Sequence, residues 1–277
     1  MRPTGKRSNT RRLVGLTLAW VACGMVSSGV RPVRALDVFT LWRQPELPLR
    51  MEEGAWADYR TQVMAGGRRQ EGLTRIACLG REHGSDDDTW LVELLPLEET
   101  ADGRLEPIPG EGARLRLSRK LLDRKGHLLD AVVAAQRWSD GHAETVSQDQ
   151  LRNDPLVSAS LDEEFTPDLT ESRDPTTRVI GGIQYLCAQF LMSAADTQTA
   201  DLPAGRMIQT TTREITAAVN DQIPFLGLAY AAERVRSDSA LDPPSRKFSP
   251  PPPQVRVEVM ELVGFGVGAL PVLSVGD

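Results

Sequence analysis

The chain has 277 residues, of which 40% are hydrophobic and 25% charged, and its 32 basic and 38 acidic residues give a net charge of −6. This composition is typical of a globular protein and excludes a largely disordered one. Because an acidic chain repels phosphates, we expect no nucleic-acid partner.

The first 35 residues are predicted to be a secretory signal. Five basic residues and no acid lie within residues 2–12, and a run of fourteen uncharged residues follows from Leu13 to Val26. This run is shorter than the roughly 20 apolar residues that span a bilayer, which favours cleavage over a retained anchor. The small side chains of Val33 and Ala35 place the cleavage after Ala35.

Two other fates of this leader stay open. Residues 10–15, TRRLVG, hold paired arginines but lack the apolar pair expected after them in a twin-arginine signal. The sequence WVAC, ending at Cys23, resembles a lipoprotein box with Trp20 in place of Leu, so lipidation at Cys23 is an alternative to cleavage after Ala35.

Removal of residues 1–35 changes the charge of the chain. They hold seven of the 32 basic residues and no acid, so 25 basic and 38 acidic residues remain and the net charge becomes −13. Such a chain also avoids anionic membrane surfaces unless a local patch opposes the total. The remaining chain is expected to be exported, to the periplasm or the cell envelope, with no transmembrane segment.

Alternation of apolar and polar residues dominates the rest of the sequence and predicts antiparallel strands. It is clearest over residues 56–63, 113–118 and 255–260. The glycines of residues 65–72 are predicted to turn a hairpin. Residues 127–138 fit a helix or a strand, and the tight turn before them favours a strand.

Residues 36–277 are predicted to form one mainly β domain of the α+β type. A curved antiparallel sheet or half-barrel would wrap around a small helical or loop element. Residues 139–175 are polar and acidic and are predicted to be an irregular crossover between two groups of strands. Residues 242–253 contain six prolines, which predicts a stiff loop or, as the alternative, a docking ligand for an aromatic groove.

The most apolar segment, RVIGGIQYLCAQFLM at residues 178–192, is predicted to be a central strand covered on both faces. Tyr185 and Phe190 would lie on its opposite faces. Together with Phe225 they are candidates for lining the interior or a ligand pocket, and core packing is the alternative for each. Phe225 follows Pro224, which is predicted to lie at the start of a strand, where a missing N–H is tolerated.

Two cysteines remain after the leader, Cys78 and Cys187. In an oxidising compartment they could form one disulfide, and the alternative is a pair of buried free thiols. Their separation in the sequence does not decide between the two.

The motifs of common catalytic sites are absent from this sequence. It contains no GxSxG, no HExxH, no P-loop and no GxGxxG after a strand. His83, His127 and His142 each lie in or beside a polar turn, and the four carboxylates of residues 82–88 lack the spacing of a calcium loop. We therefore assign no catalytic residue and expect no cofactor and no metal site.

The order of the segments resembles that of periplasmic half-barrel proteins related to the lipoprotein carriers. The segments are GAWADYRTQV, TRIACLG and TWLVELLPL, then GIQYLCAQF, DQIPFLGLAYAAER and MELVGFGVGA, across about residues 54–269. In that superfamily a late strand opens with a turn, Val or Ile, Pro, an apolar residue and Gly, which here are Ile223, Pro224, Phe225 and Gly227. The resemblance implies a curved sheet whose concave surface binds an apolar ligand or partner, and it implies no catalysis.

Three functions are consistent with these features. The leading one is an exported, non-enzymatic binding or carrier-like protein for an apolar ligand or an envelope partner. The alternatives are a secreted hydrolase with an unrecognised carboxylate site and a scaffold or assembly factor of the cell envelope. An apolar cavity would favour the first, a polar cleft with converging carboxylates or a His–carboxylate pair the second, and a flat apolar patch the third.

The leader leads to a first testable prediction. N-terminal sequencing of the exported protein should find Leu36 as the first residue, because the basic start, the short apolar run and the small residues at 33 and 35 match a cleaved signal. A mature protein that instead begins at a lipidated Cys23 would contradict this prediction.

Overall fold

The computed structural model describes residues 41, 47, 49–83, 88–123, 128–147, 149–150, 167–202, 205–244 and 250–273. The predicted signal and His127 lie outside the described residues. The strands are β1 (Trp56–Ala65), β2 (Arg68–His83), β3 (Asp88–Glu99), β4 (Leu105–Pro107), β5 (Gly112–Ser118), β6 (Val132–Ser139), β7 (His142–Val146), β8 (Leu169–Ile180), β9 (Ile183–Leu202), β10 (Gly205–Val219), β11 (Leu228–Asp242) and β12 (Gln254–Gly266), and the helices are α1 (Arg119–Asp123) and α2 (Leu128–Ala131).

The twelve strands form one open antiparallel sheet. Their order is β7-β6-β5-β3-β2-β1-β12-β11-β10-β9-β8, and β4 pairs with β3 outside this path. Each half of the sheet is a run of neighbours in sequence, and the pairing of β1 with β12 joins the halves. The predicted fold class, a mainly β domain built on a curved antiparallel sheet, is confirmed.

One face of this sheet, which we call the inner face, carries Tyr59 of β1 and holds the main core. The alternation read from the sequence puts apolar residues of successive strands on this face, such as Val92 and Met260. The Tyr59 hydroxyl donates a hydrogen bond to the Leu228 carbonyl at 3.2 Å, and its burial raises the pKa of this phenol. Short segments complete the core: Leu41, Leu47, Leu122 of α1, Ala131 of α2, Ile223, Phe225 and Leu226.

On the opposite face, Trp56 of β1 is held between an arginine and two glycines. Its ring lies under the Arg75 guanidinium, 4.6 Å from the ring centroid. Arg75 is itself fixed by two hydrogen bonds to the Asp58 carboxylate, at 2.7 and 2.8 Å. Gly264 and Gly266 of β12 lie beside the ring. Because glycine has no Cβ, the indole can approach the backbone of β12 closely at these two positions.

The same outer face is covered further along by the segment that follows β12. The fully buried Glu93 carboxylate accepts hydrogen bonds from the backbone N–H groups of Val272 and Leu273, at 3.0 and 3.3 Å. Arg114 pairs with Glu93 and also donates to the Leu273 carbonyl. The Leu273 side chain packs with Trp138 and Leu95, so this segment closes a second, smaller core.

The prediction of one central strand over residues 178–192 is wrong. Gly181 and Gly182, with φ of 56° and 83°, make a two-residue turn between β8 and β9. Consecutive positive φ values suit the primed turns that close β-hairpins, and β8 lies at the edge of the sheet. Three aliphatic side chains near this turn are more than half exposed: Val179 (62%), Ile183 (60%) and Leu186 (68%).

Two of the predicted strands adjoin short helices. β5 ends at Ser118, whose hydroxyl accepts a hydrogen bond from the Leu121 N–H at 3.2 Å and so caps α1. Residues 128–138 divide into α2 and most of β6. The interval 139–175 contains β7 and the first half of β8, and its residues 151–166 lie outside the described residues.

The packing of Trp56 generates a stability prediction with a built-in control. A Cβ added at Gly266 would lie 3.0 Å from the Trp56 ring, and the Arg75 guanidinium that stacks on this ring restricts its movement. Gly266→Ala should therefore lower the free energy of unfolding by about 1–3 kcal/mol. Gly264→Ala meets the same ring at an ordinary 3.6 Å and should be nearly neutral in urea unfolding. Equal shifts for both variants would contradict this account.

Candidate functional site

The candidate site is built around the loop from Asn220 to Gly227, between β10 and β11. The Asn220 side chain accepts a hydrogen bond from the Gln222 N–H at 2.9 Å, and the Asn220 N–H donates to the Gly227 carbonyl at 2.9 Å. These bonds close the loop on itself. Pro224 lies inside the loop, so the prediction that it starts a strand is wrong, because β11 begins only at Leu228.

Backbone conformation makes this loop dependent on glycine at one position. Gly227 has φ of 68°, and a Cβ there would lie 2.9 Å from the Asn220 carbonyl oxygen. Phe225 adopts φ of 61° although it is not glycine. Such a conformation is unfavourable for a bulky residue and persists only where its surroundings hold it.

Arg50 supplies the contacts that hold Phe225 in place. The Arg50 N–H donates to the Phe225 carbonyl at 2.8 Å, and the Phe225 N–H donates to the Arg50 carbonyl at 3.0 Å. The Arg50 guanidinium also donates from Nη1 to the Asp221 carbonyl at 2.6 Å. The segment before β1 is thus joined to the loop before β11 through main chain and side chain together.

A cleft of about 310 Å³ opens between this loop, Arg50 and the start of β9. We call it the Arg50 cleft. Its lining residues are Arg50, Leu186, Ala188, Val219, Asn220, Asp221, Leu226 and Gly227. The Asn220 side-chain amide donates to the Leu186 carbonyl at 2.8 Å and so fixes the β9 wall against the loop.

The walls of the cleft are mainly aliphatic, and its rim carries polar groups. Leu226 is buried at 2% exposure, whereas Leu186 stands 68% exposed at the opening. Arg50 and Asp221 place one cation and one carboxylate beside these apolar side chains. The volume is at the lower end of the roughly 300–1,000 Å³ range of small-molecule pockets.

The three residues predicted to line a pocket lie around this cleft, not on its surface. Phe225 is 3% exposed and packs in the core beneath the loop. Tyr185 makes an edge-to-face contact with Phe265, with ring centroids 5.5 Å apart. Phe190 pairs with Ala217 of β10. Leu186, the neighbour of Tyr185 on β9, lines the cleft instead, since successive strand side chains point to opposite faces. Leu226, the neighbour of Phe225 in the loop, also lines the cleft.

Cys78 and Cys187 are free, buried thiols in the structure. They lie on β2 and β9, with four strands between them in the sheet order. Burial raises the pKa of the Cys78 thiol to about 11 and also raises the pKa of Cys187.

Other titratable groups make structural pairs in the described part of the chain. His83 contacts Asp88 at 3.0 Å, but the pair is at a hairpin end and the imidazole is exposed. Glu233 and Glu258 face each other across β11 and β12, and each pairs with an arginine. Among the described residues, no cluster of three metal-ligating side chains is present, and neither α1 nor α2 has the length or apolarity to cross a bilayer.

No protein-family model and no curated protein sequence matches this chain. Among solved structures, the chain is similar to a DUF1329 family protein from Desulfovibrio piger, with 10% identity, 77% of this chain and 85% of that chain covered, and a TM-score of 0.25. A LolA superfamily protein from Nitrosomonas europaea matches with 9% identity, coverage of 84% and 91%, and a TM-score of 0.23.

A third match is an exported protein with a YmcC-like fold from Bacteroides fragilis, with 9% identity, coverage of 79% and 99%, and a TM-score of 0.21. The match to a LolA superfamily protein agrees with the resemblance to carrier-related half-barrel proteins stated from the sequence. Because the TM-scores and identities are low, these matches carry no argument about a site or a ligand.

The buried cysteines generate a prediction about thiol chemistry. In the folded protein without residues 1–35, alkylation of Cys78 by a maleimide at pH 8 should be far slower than that of a free thiol, since burial blocks access and a raised pKa leaves little thiolate. After unfolding in urea, two thiols per chain should react. Mass spectrometry that instead finds no reactive thiol until a reductant is added would show a disulfide between Cys78 and Cys187.

Proposed function

We propose that this protein is an exported, non-enzymatic binding or carrier-like protein that takes an apolar chain of its ligand into the Arg50 cleft. The observation that carries the proposal is the cleft itself, in which Leu186, Val219 and Leu226 form apolar walls. The leader predicted over residues 1–35 supports export. The ligand is a free amphiphile or the apolar part of an envelope protein.

Exposure of Leu186 supports a binding role for this wall. A leucine with 68% of its surface in water gains little burial from folding at that position. Covering such a side chain removes apolar area from water at roughly 25 cal/mol per Å². An apolar ligand seated between Leu186 and the loop would supply that cover.

The competing reading as a hydrolase finds less support in the described residues. The carboxylates of Glu233 and Glu258 are engaged by Arg213 and Arg256, so they act as ion-pair partners. Among the described residues, the one His–carboxylate contact, His83 with Asp88, is exposed at the end of a hairpin. Neither arrangement opens into the Arg50 cleft.

The proposal predicts how one substitution changes binding of a neutral apolar dye. Nile red should bind the exported protein, and Leu186→Gln should weaken its binding roughly three- to tenfold, because a polar group then replaces an apolar wall of the cleft. The fluorescence titration measures both dissociation constants. The free energy of unfolding should change little, since Leu186 is mostly exposed.

Val179→Gln is the matched control for this experiment. Val179 is 62% exposed on the same hairpin but does not line the cleft. Its substitution should leave the dissociation constant of Nile red unchanged. Equal weakening by both variants would place the dye on the hairpin surface, and no binding by the native protein would overturn the proposal.

A further inference from the structure

The Arg50 guanidinium is a cation held in place at an apolar cleft. Its hydrogen bond to the Asp221 carbonyl, at 2.6 Å, uses one N–H of Nη1. The Arg50 backbone is fixed by two hydrogen bonds to Phe225. The position of the charge is therefore set by the same contacts that build the loop, and the other N–H groups of the guanidinium remain available to the cleft.

Among the residues that the structure describes, no carboxylate forms an ion pair with Arg50. Three part-buried arginines of the sheet do form ion pairs with carboxylates: Arg75 with Asp58, Arg114 with Glu93 and Arg256 with Glu258. The acidic neighbour Asp221 offers Arg50 its carbonyl oxygen, while its carboxylate is outside ion-pair distance. Arg50 thus differs from the structural arginines of this sheet, whose charge is matched within the protein.

An arginine with free N–H groups is suited to binding an oxyanion. The guanidinium presents its donors in a planar fork that matches a carboxylate or a phosphate, and hydrogen bonds between such charged groups are stronger than neutral ones. In the Arg50 cleft this fork lies beside aliphatic walls. A ligand that contacts both the aliphatic walls and the Arg50 guanidinium needs an apolar chain and an anionic head.

We propose that the ligand of the Arg50 cleft is a single-chain amphiphile with an oxyanion head, whose chain contacts Leu186, Val219 and Leu226 and whose head accepts hydrogen bonds from Arg50. This inference rests on the function proposed above and adds the chemical class of the ligand. Asp221 also lines the cleft, and its negative charge opposes the head group. The affinity for the anion is therefore set by the two charges together.

The first test needs no variant. Decanol, decanoate and decyl phosphate share one chain length and differ in the head, and each can displace Nile red from the exported protein at pH 7. Decanoate or decyl phosphate should bind roughly three- to tenfold more tightly than decanol, a gain kept modest because Arg50 is exposed to solvent. The order of the two anions tells a carboxylate head from a phosphate head.

Two substitutions in the cleft should change this preference in opposite directions. Arg50→Met should abolish the preference for the anions, measured as the ratio of each anion's affinity to that of decanol in the same variant. Asp221→Asn should increase the preference, because it removes the opposing charge. Arg234→Met, at an exposed arginine on β11 that is not part of the cleft, is the matched control and should leave all three affinities unchanged.

The outcomes separate this inference from the function on which it rests. Equal binding of decanol and both anions by the native protein would overturn the anionic class and leave the apolar cleft intact. Loss of the preference in Arg234→Met as much as in Arg50→Met would show an effect of net charge and overturn the role of Arg50. Failure of all three compounds to displace the dye would overturn the proposed function itself.

Discussion

The constraint on which this structure depends is that, within the described residues, one face of a large sheet is covered with very little helix. The inner face carries apolar residues on strand after strand, and water cannot be left against them. The helices α1 and α2 have five and four residues, too few to form a layer over the sheet. Cover comes instead from single side chains such as Leu47 and from the Asn220–Gly227 loop, which places Phe225 and Leu226 in the core.

That use of a loop as part of the core explains why the cleft lies where it does. One side of the loop is buried against the sheet, and the other side faces the start of β9 across the Arg50 cleft. A buried loop has to satisfy its own backbone groups, and it does so through Asn220, Gly227 and Arg50. The same contacts that meet this requirement also fix a cation at the edge of an apolar opening.

Strands could be predicted from the sequence where one face of the strand is exposed to solvent and the other is buried, because apolar and polar residues then alternate. Residues 56–63, 113–118 and 255–260 alternate clearly enough to be read as strands, and they lie in β1, β5 and β12. Residues 178–192 are apolar throughout, and such a run reads the same whether it is a covered strand or an exposed hairpin. The paired glycines at 181 and 182 were the local signal for the second reading.

The cleft could not be read from the sequence because its walls come from distant parts of the chain. Arg50, Leu186 and Leu226 have no pattern in common, and only the strand order brings them together. The three aromatic residues chosen from the sequence were large and apolar, and size selects for core packing as much as for binding. The residues at the cleft are instead the smaller neighbours of two of them.

The strand order also has a consequence for how the chain reaches this structure. Within each half of the sheet, strands pair with neighbours in sequence, so these contacts can form locally and early. The central pairing joins Trp56 to Gly266, roughly 200 residues apart. Closure of that seam involves a large loop entropy, and it has to wait until β12 is available to pair with β1. Until then the half that contains β1 exposes a strand edge whose backbone N–H and C=O groups are unpaired, and protection by a chaperone would matter most in this period.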